Sequence, residues 1–444
     1  MPVKFLAAFC FYVLCHLAVT AQVIVTVAGI GVDGYSGDGG PATNAKMSAP
    51  SSLVFDKNGN FYFTEDGNAT IRKVAPSGLI SRFAGNRTSG YSGDGGPAVA
   101  ALIGGGAGLA VDKWNNIYLA DGDNHRIRKI TTDGVIRTIA GTGVAGYNGD
   151  GISALSAQLN YPHGIGVDDT GNVYICDRMN FRLRKVDTFG NISTIAGTGV
   201  MGFTADGARA DTAAINESWY VVADKNGDIY FMDKARIRKI AATDHKLSTV
   251  AGNGINAYSG DGGPATAASI GTQYFTFDSV GNMFLAEGGV CRIRKVTTDG
   301  NISTIVGNGL VGIDPEGVSL SVARVLSPTG IAFSQIGELY FTEKSGAKVR
   351  KITLAWDGVN EVNRKSIGLE VFPNPTHGRV SVRINAIERE ANLTMIDARG
   401  VAVMTMTVPC NVTKEIDVNG LRPGVYTVKM IVGSDEVSQQ LIVK

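Results

Sequence analysis

The 444-residue chain is poor in the residues that build most redox and metal sites. It has five cysteines and five histidines, and only Cys176, Cys291 and Cys410 follow the N-terminal segment. Three scattered cysteines give no disulfide framework and no metal-ligand spacing, so we expect buried free thiols. The net charge is +1, and no cluster of lysine and arginine accompanies it. This pattern excludes a nucleic-acid partner.

Long apolar runs are also absent, except at the N-terminus. There Lys4 is the only charge before an apolar run from Phe5 to Val19, and Val19-Thr20-Ala21 offers the small residues of a cleavage site. The run is shorter than the about 20 residues that a membrane-spanning helix needs. We therefore predict a signal peptide over residues 1–21 and an exported protein.

Glycine, in contrast, is abundant, with 58 residues. The glycines follow no collagen-like period and cluster between short apolar runs. Such spacing is typical of an all-β protein with many turns.

Two markers recur six times in register. Glycines that end runs such as TVAG or TIAG are 55 or 56 residues apart, at Gly29, Gly85, Gly141, Gly197, Gly252 and Gly307. Arg-Lys pairs begin at Arg72, Arg128, Arg184, Arg238, Arg294 and Arg350. Each unit holds four strand-length runs with tight turns and one long Gly-rich connection. This pattern predicts a blade of a β-propeller, and the short hairpins argue against a solenoid.

The repeats also close into a ring. Residues 23–29 form a fourth strand without the first three, and residues 330–354 hold three strands without a fourth. We predict a six-bladed β-propeller over residues 22–354, closed by strand 23–29, because closure removes an exposed sheet edge.

The register ends after Leu354. Residues 355–366 are mostly polar and form a predicted linker. Residues 367–444 alternate between apolar and polar positions in several short runs, which predicts a small C-terminal β-sandwich.

The repeated unit resembles a known family. The succession GDGGPAT, D-x-x-GN-x-Y, RIRK and TIAG is similar to the NHL repeat, above all to the variant of secreted bacterial proteins and of the teneurin propeller. The resemblance covers about residues 22–354 and implies six blades.

The C-terminal segment resembles the sorting domain of type IX secretion. The matching residues are Phe372-Pro373-Asn374-Pro375, the Asp397 to Gly400 turn, Leu421 to Tyr426 and the final Leu441 to Lys444. The resemblance implies contact with the type IX secretion machinery of a Gram-negative bacterium. It also implies a protein that is released or held peripherally at the outer-membrane surface.

The long loops carry a carboxylate nine residues after each marker glycine. These acids are Asp38, Asp94, Asp150, Asp206, Asp261 and Glu316, and the residues three positions earlier are Tyr35, Tyr91, Tyr147, Phe203, Tyr258 and Ile313. Placed around the channel mouth, such a ring could bind Ca²⁺ or a sugar. The alternative is structural, because aspartate in a Gly-rich turn bonds to backbone amides. Beyond Ca²⁺, no cofactor is expected.

A second set of acids follows the second strand of each blade. These are Asp66, Asp121, Asp177, Asp233, Glu287 and Glu343, opposite the Arg-Lys pairs across a hairpin. We expect partly buried structural ion pairs with the arginines. Asp56, Asp112, Asp168, Asp224 and Asp278 start the tight turn between the first and second strands, and we interpret them as turn residues.

The sequence holds no recognisable catalytic motif. Of the three histidines in the propeller, His125 and His163 are expected on the loop-rich face and His245 on the opposite face, so they cannot share one metal ion. We expect a monomeric, non-catalytic module that binds a glycan, peptide or partner protein. The alternatives are a metal-assisted lyase or lactonase and a purely structural surface component. Function should be sought where the copies differ: His125, His163, Trp219-Tyr220 and Ile313 to Glu316.

Overall fold

The computed structural model describes residues 23–352 and 368–444, except 106–107, 315–317 and 321 in the first range and 373–375, 377, 386–389, 398–400, 410–412 and 433–434 in the second. The predicted signal peptide and linker, Cys410 and Glu316 lie outside the described residues. The chain divides into two compact units, Met1–Ala355 and Trp356–Lys444. No helix in the described part of the chain is long and apolar enough to cross a membrane.

The first unit consists of six antiparallel sheets, which confirms the all-β prediction. Its strands are β1 (Ile24–Ala28), β2 (Pro50–Phe55), β3 (Phe61–Glu65), β4 (Thr70–Val74), β5 (Ile80–Ala84), β6 (Leu109–Val111), β7 (Ile117–Asp121), β8 (Arg126–Ile130), β9 (Ile136–Ala140), β10 (Ile152–Ser153), β11 (Pro162–Val167), β12 (Val173–Asp177), β13 (Arg182–Val186), β14 (Asn191–Ala196), β15 (Val221–Ala223), β16 (Ile229–Met232), β17 (Ile237–Ile240), β18 (Leu247–Ala251), β19 (Tyr274–Phe277), β20 (Met283–Glu287), β21 (Arg292–Val296), β22 (Ile302–Val306), β23 (Pro328–Phe333), β24 (Leu339–Glu343) and β25 (Lys348–Ile352). Short 3₁₀ helices punctuate the loops and turns at Ala42–Asn44, Ala98–Ala100, Gly122–Asn124, Ala154–Ser156, Arg178–Asn180, Ala210–Thr212, Ala265–Ala267 and Gly288–Val290.

The N-terminal strand completes the last blade. β1 pairs antiparallel with β25, with Ile24 opposite Ile352 and Thr26 opposite Arg350, and the sheet order is β1-β25-β24-β23. The first strand of the ring thus joins the sheet that holds its last three strands.

The first strand of each blade lies on the inside of the ring. β2 contacts β6 and β23, and β11 contacts β6 and β15. Apolar side chains fill the space between neighbouring blades; one cluster unites Val54 and Tyr62 of the first blade with Leu109 and Ile117 of the second.

The marker glycine has a backbone role. Gly141 has a φ of +93°, and a Cβ there would lie 2.3 Å from the carbonyl oxygen of His125. The other five markers also have positive φ, and each approaches an equivalent carbonyl as closely: Gly29, Gly85, Gly197, Gly252 and Gly307. Only glycine tolerates both the conformation and the approach, which explains the recurrence.

A buried arginine lies on the third strand of every blade. These are Arg72, Arg128, Arg184, Arg238, Arg294 and Arg350, and each is at most 1% exposed. Arg128 is 3.3 Å from Asp121 at the end of β7 and 2.7 Å from Asp94 in the preceding loop. The same arrangement joins Arg72 to Glu65 and Asp38, Arg184 to Asp177 and Asp150, Arg238 to Asp233 and Asp206, and Arg294 to Glu287 and Asp261, while Arg350 bonds to Glu343. Two sets of acids that are far apart in sequence therefore meet on one arginine.

The inner acid of the first blade differs from the prediction. Arg72 bonds to Glu65 at 3.4 Å, whereas Asp66 bonds to Lys344 at 2.7 Å. Glu65 is the last residue of β3 and pairs with Thr70, and Asp66 begins the turn. Successive side chains of a strand point to opposite sides, so only one of the two acids can face the arginine.

The inner acids are also more deeply buried than expected. Glu65, Asp121 and Asp177 are at most 1% exposed. Burial raises the pKa of Asp177 to about 6 and that of Glu287 to about 7, and the neighbouring arginine opposes the shift in each case. Each arginine therefore compensates a carboxylate that would otherwise be costly to bury.

The loop aromatics cover these ion pairs. The hydroxyl of Tyr91 donates to Asp94 at 3.0 Å, and the guanidinium of Arg126 lies 3.6 Å from the centre of its ring. Tyr35, Tyr147 and Tyr258 donate to their own loop aspartates in the same way.

The second unit is a small β-sandwich. Its strands are β26 (Gly368–Phe372), β27 (Arg379–Asn385), β28 (Glu390–Ile396), β29 (Ala402–Pro409), β30 (Thr413–Asp417), β31 (Gly424–Val432) and β32 (Asp435–Val443). They form two antiparallel sheets with the orders β26-β27-β30 and β29-β28-β31-β32. Val382 from the first sheet packs in one core with Leu393 and Val428 from the second.

We expect deletion of residues 23–29 to give an insoluble or open ring. The deletion exposes the edge of β25 and removes the buried Ile24 and Ala28 from the core. The milder variant Ile24→Ala should lose about 2–4 kcal/mol of unfolding free energy. Size-exclusion chromatography and thermal unfolding test this, and a soluble deletion variant with an unchanged melting temperature would contradict it.

Removal of one central arginine should cost far more stability than removal of its outer acid. Arg128→Met leaves the fully buried Asp121 without its cation and should cost about 3–5 kcal/mol. Asp94→Asn should cost about 1 kcal/mol, because its side chain is 35% exposed. Denaturant unfolding measures both, with the exposed Arg137→Met as the control. Equal losses for Arg128→Met and Arg137→Met would refute the central role.

Candidate functional site

The loop carboxylates do not surround the channel. Asp94 contacts Arg128 on the third strand of the next blade, and Asp261 accepts from Thr304 on the fourth. These strands form the outer half of each blade, so the expected ring at the channel mouth is not formed. In the sixth loop, the backbone N–H and Nε of Arg324 donate to Asp314. Among the described residues, no group of three His, Cys, Asp or Glu side chains is placed to hold a metal ion.

A cavity of about 270 Å³ opens instead at one end of the inner strands. Its lining comes from five blades and comprises Ser51, Asp66, Tyr161, His163, Arg178, Trp219, Gln273, Tyr274 and Lys344. These residues lie where first strands begin and in the turns between second and third strands. We call this cavity the axial pocket.

The axial pocket is built from the positions at which the repeats differ. One repeat position supplies four of the lining residues: Ser51, His163, Trp219 and Gln273. Each stands two residues before an equivalent residue of the first strand, namely Leu53, Ile165, Val221 and Phe275, which pairs with the second strand of its blade. The equivalent residues in the other two blades are Ala107 and Thr329. A second shared position directly follows the inner acid and holds Asp66, Arg178 and Lys344 in three of the blades. The repeated residues thus form the strands and turns of each blade, whereas the side chains that line the axial pocket differ between blades.

Arg178 forms one wall of the axial pocket. Its Nε donates to Glu217 at 2.9 Å, and its guanidinium lies 3.7 Å from the centre of the Trp219 ring. The centre of the Tyr161 ring lies 5.6 Å from the same guanidinium group. A cation held between an acid and an aromatic face is fixed in position before a ligand arrives.

His163 is a buried, neutral side chain in this wall. Burial lowers its pKa to about 4, although its contact with the carbonyl oxygen of Trp219 and the charge of Asp66 oppose the shift. Its Nδ1 lies 2.9 Å from that carbonyl oxygen. A carbonyl oxygen only accepts hydrogen bonds, so Nδ1 carries the proton and Nε2 is an acceptor.

His125 positions a neighbour rather than lining the axial pocket. Its Nδ1 accepts a hydrogen bond from the backbone N–H of Tyr161 at 3.0 Å. Partial burial lowers its pKa, which keeps the ring neutral and able to accept. Tyr161 has a φ of +53°, and the equivalent Ala49 and Ser327 of two other blades have φ of +48° and +50°, so this backbone conformation belongs to the repeat.

A second cavity, of about 260 Å³, lies at the opposite end of the inner strands. Its lining combines the repeated turn residues Asp56 and Asp112 with the position that follows them, which holds Lys57, Lys113, Asp169 and Gln335. Asp56 accepts from the backbone N–H groups of Asn58 and Asn60 and from the hydroxyl of Tyr62. Its carboxylate is thus occupied by its own turn, as expected of a turn residue.

The sequence indicated two members of the axial pocket, His163 and Trp219. It assigned Asp66 to an ion pair with Arg72, and it did not indicate the other six lining residues, Ser51, Tyr161, Arg178, Gln273, Tyr274 and Lys344. An alignment of the six repeats could have indicated them, because they occupy repeat positions at which the residue type varies while neighbouring positions stay constant.

Two family models match the chain. The secretion-system C-terminal sorting domain matches residues 370–444, and the teneurin NHL domain matches residues 143–205. The sorting domain implies interaction with the type IX secretion machinery. It also indicates a protein that is secreted or held at the outer-membrane surface.

Individual proteins show the same relationship. Teneurin-1 from Mus musculus is 25% identical over 405 residues, which cover 79% of this chain and 14% of the teneurin. A protein of unknown function from Bacteroides thetaiotaomicron has a TM-score of 0.56 at 16% identity, over 75% of this chain and 76% of that one. An auxiliary nutrient binding protein from the same organism has a TM-score of 0.54 at 14% identity, over 75% of this chain and 76% of its own. The chain is therefore an NHL-repeat β-propeller followed by a type IX secretion C-terminal sorting domain.

Proposed function

We propose that the protein is a non-catalytic binding module, exported by type IX secretion and released or kept at the surface of a Gram-negative bacterium. Its ligand, a glycan, peptide or partner protein, binds in the axial pocket. The observation that carries this proposal is the lining, in which aromatic and polar side chains occupy the positions that the repeat does not constrain. We further propose that the protein acts as a monomer.

The axial pocket is preformed, which favours binding. Arg178 is held by Glu217 and Trp219, and Lys344 is held by Asp66. Side chains fixed in this way lose little conformational entropy when a ligand binds.

A metal-assisted lyase or lactonase is less well supported. His163 is the one histidine in the lining, and its Nδ1 already bonds to a backbone carbonyl. Ca²⁺ in the long loops would compete with arginines for the same carboxylates, as at Asp94 and Arg128.

We expect Trp219→Ala and Arg178→Ala to abolish ligand binding, because each removes one wall of the axial pocket. The matched control is Trp114→Ala, since Trp114 is 55% exposed in the turn after β6, at the other end of the inner strands. Glycan and peptide arrays followed by calorimetry measure the effect. Ligand binding that survives both pocket variants would place the site elsewhere.

His163 should make the fold sensitive to mild acid. Its folded pKa of about 4 lies below the ordinary histidine value of 6.5, so the unfolded chain binds the proton more tightly. Stability is therefore lost as the pH falls from about 6.5 towards 4. Between pH 7 and pH 4.5 the protein should lose about 2 kcal/mol more than the variant His163→Gln. Identical losses in denaturant unfolding would show that His163 is not buried as described.

A further inference from the structure

The axial pocket contains two hydrogen-bond acceptors, and one of them is buried without a donor among the described residues. One carboxylate oxygen of Asp66 accepts from Lys344 at 2.7 Å, whereas Oδ1 is buried and has no donor among the described residues. The Nε2 of His163 is the second acceptor, because Nδ1 carries the proton. A buried acceptor without a donor is costly, so a ligand that donates to Asp66 is favoured, and Nε2 of His163 can accept a second hydrogen bond from it.

Donors lie beside these acceptors. Lys344 is 41% exposed, Gln273 is exposed, and both line the axial pocket with Arg178. A ligand must therefore donate and accept within one small volume. Hydroxyl groups do both, whereas a carboxylate only accepts and an ammonium only donates.

The charges of the axial pocket are balanced. Asp66 is paired with Lys344, and Arg178 is paired with Glu217. An anionic ligand would meet the carboxylate of Asp66, and a cationic ligand would meet the ammonium of Lys344. The balance favours a ligand without net charge.

The volume and the aromatic lining of the axial pocket further restrict the class of ligand that it can bind. About 270 Å³ lies just below the range of about 300–1,000 Å³ that is typical of sites for drug-sized ligands. Tyr161, Trp219 and Tyr274 offer aromatic surface to the C–H groups of a ring. One saturated ring with several hydroxyls meets all of these conditions.

We propose that the axial pocket binds a single neutral sugar residue, either a free monosaccharide or the terminal residue of a glycan. This inference rests on the proposed binding function. Asp66 and His163 accept from its hydroxyls, and Lys344 and Gln273 donate to them.

The test uses the purified protein on an array of glucose-, galactose-, mannose-, fucose- and rhamnose-terminated oligosaccharides. Sialic acid- and glucuronic acid-terminated counterparts and a peptide array are screened beside them. We expect binding to one or more neutral termini, and inhibition by the matching free monosaccharide within a few-fold of the whole glycan.

Asp66→Asn then tests the assigned contact. It keeps the shape of the side chain but weakens the acceptor, so neutral-sugar binding should fall about tenfold. The matched control Asp169→Asn alters an exposed acid at the opposite end of the inner strands and should bind normally. Thermal unfolding of both variants verifies that they fold.

The other possible results of the array and of the Asp66→Asn variant contradict different parts of the proposal. Binding of a charged glycan or a peptide that is lost in Trp219→Ala keeps the proposed function and refutes the neutral sugar. Neutral-sugar binding that Asp66→Asn leaves unchanged refutes the assigned contacts. A failure of every probe to bind refutes the sugar and also refutes a glycan or a peptide as the ligand of the proposed function.

Discussion

The buried arginine of the third strand is the interaction on which the rest of the propeller depends. Each side chain is cut off from solvent and lies against an acid of its own blade. In the five blades whose repeated loop acid is among the described residues, it also contacts that acid of the preceding loop. Since that loop leaves the previous blade, the ion pair joins neighbouring blades as well as neighbouring strands. It also holds the turn that follows the inner acid, and three of these turns supply Asp66, Arg178 and Lys344 to the axial pocket.

The blades cover the loop aromatic ring with arginines from different places in the chain. In most blades an arginine from the start of the third strand covers the loop aromatic, as Arg126 covers Tyr91. In the first blade Thr70 occupies that strand position, and Arg87 from the next loop lies 4.5 Å from the ring of Tyr35 instead. An arginine therefore lies over the aromatic ring in both cases, although it comes from a different position of the repeat. Such substitution leaves the frame intact while the lining of the axial pocket diverges.

Periodicity in the sequence predicted what is periodic in the fold: the strands, the number of blades, the closing strand and the arginines. It could not decide between Glu65 and Asp66, because two adjacent acids fit the same repeat position and strand alternation selects one. The path of a loop of about twenty residues is not periodic at all, so the loop acids were expected at the channel rather than on the outer strands. The axial pocket draws one or two residues from each of several blades, and their proximity becomes visible only when the ring is closed.

The pairing of β1 with β25 has a consequence for the order of events during folding. The strand that is synthesised first in the propeller has its partner in the strand that is synthesised last. Until β25 is available, β1 remains an unpaired strand, and five blades can form while it waits. Joining the two ends costs chain entropy, which grows only slowly with the length between them. We therefore expect the ring to close in one late, non-local step, with the axial pocket complete only after that step.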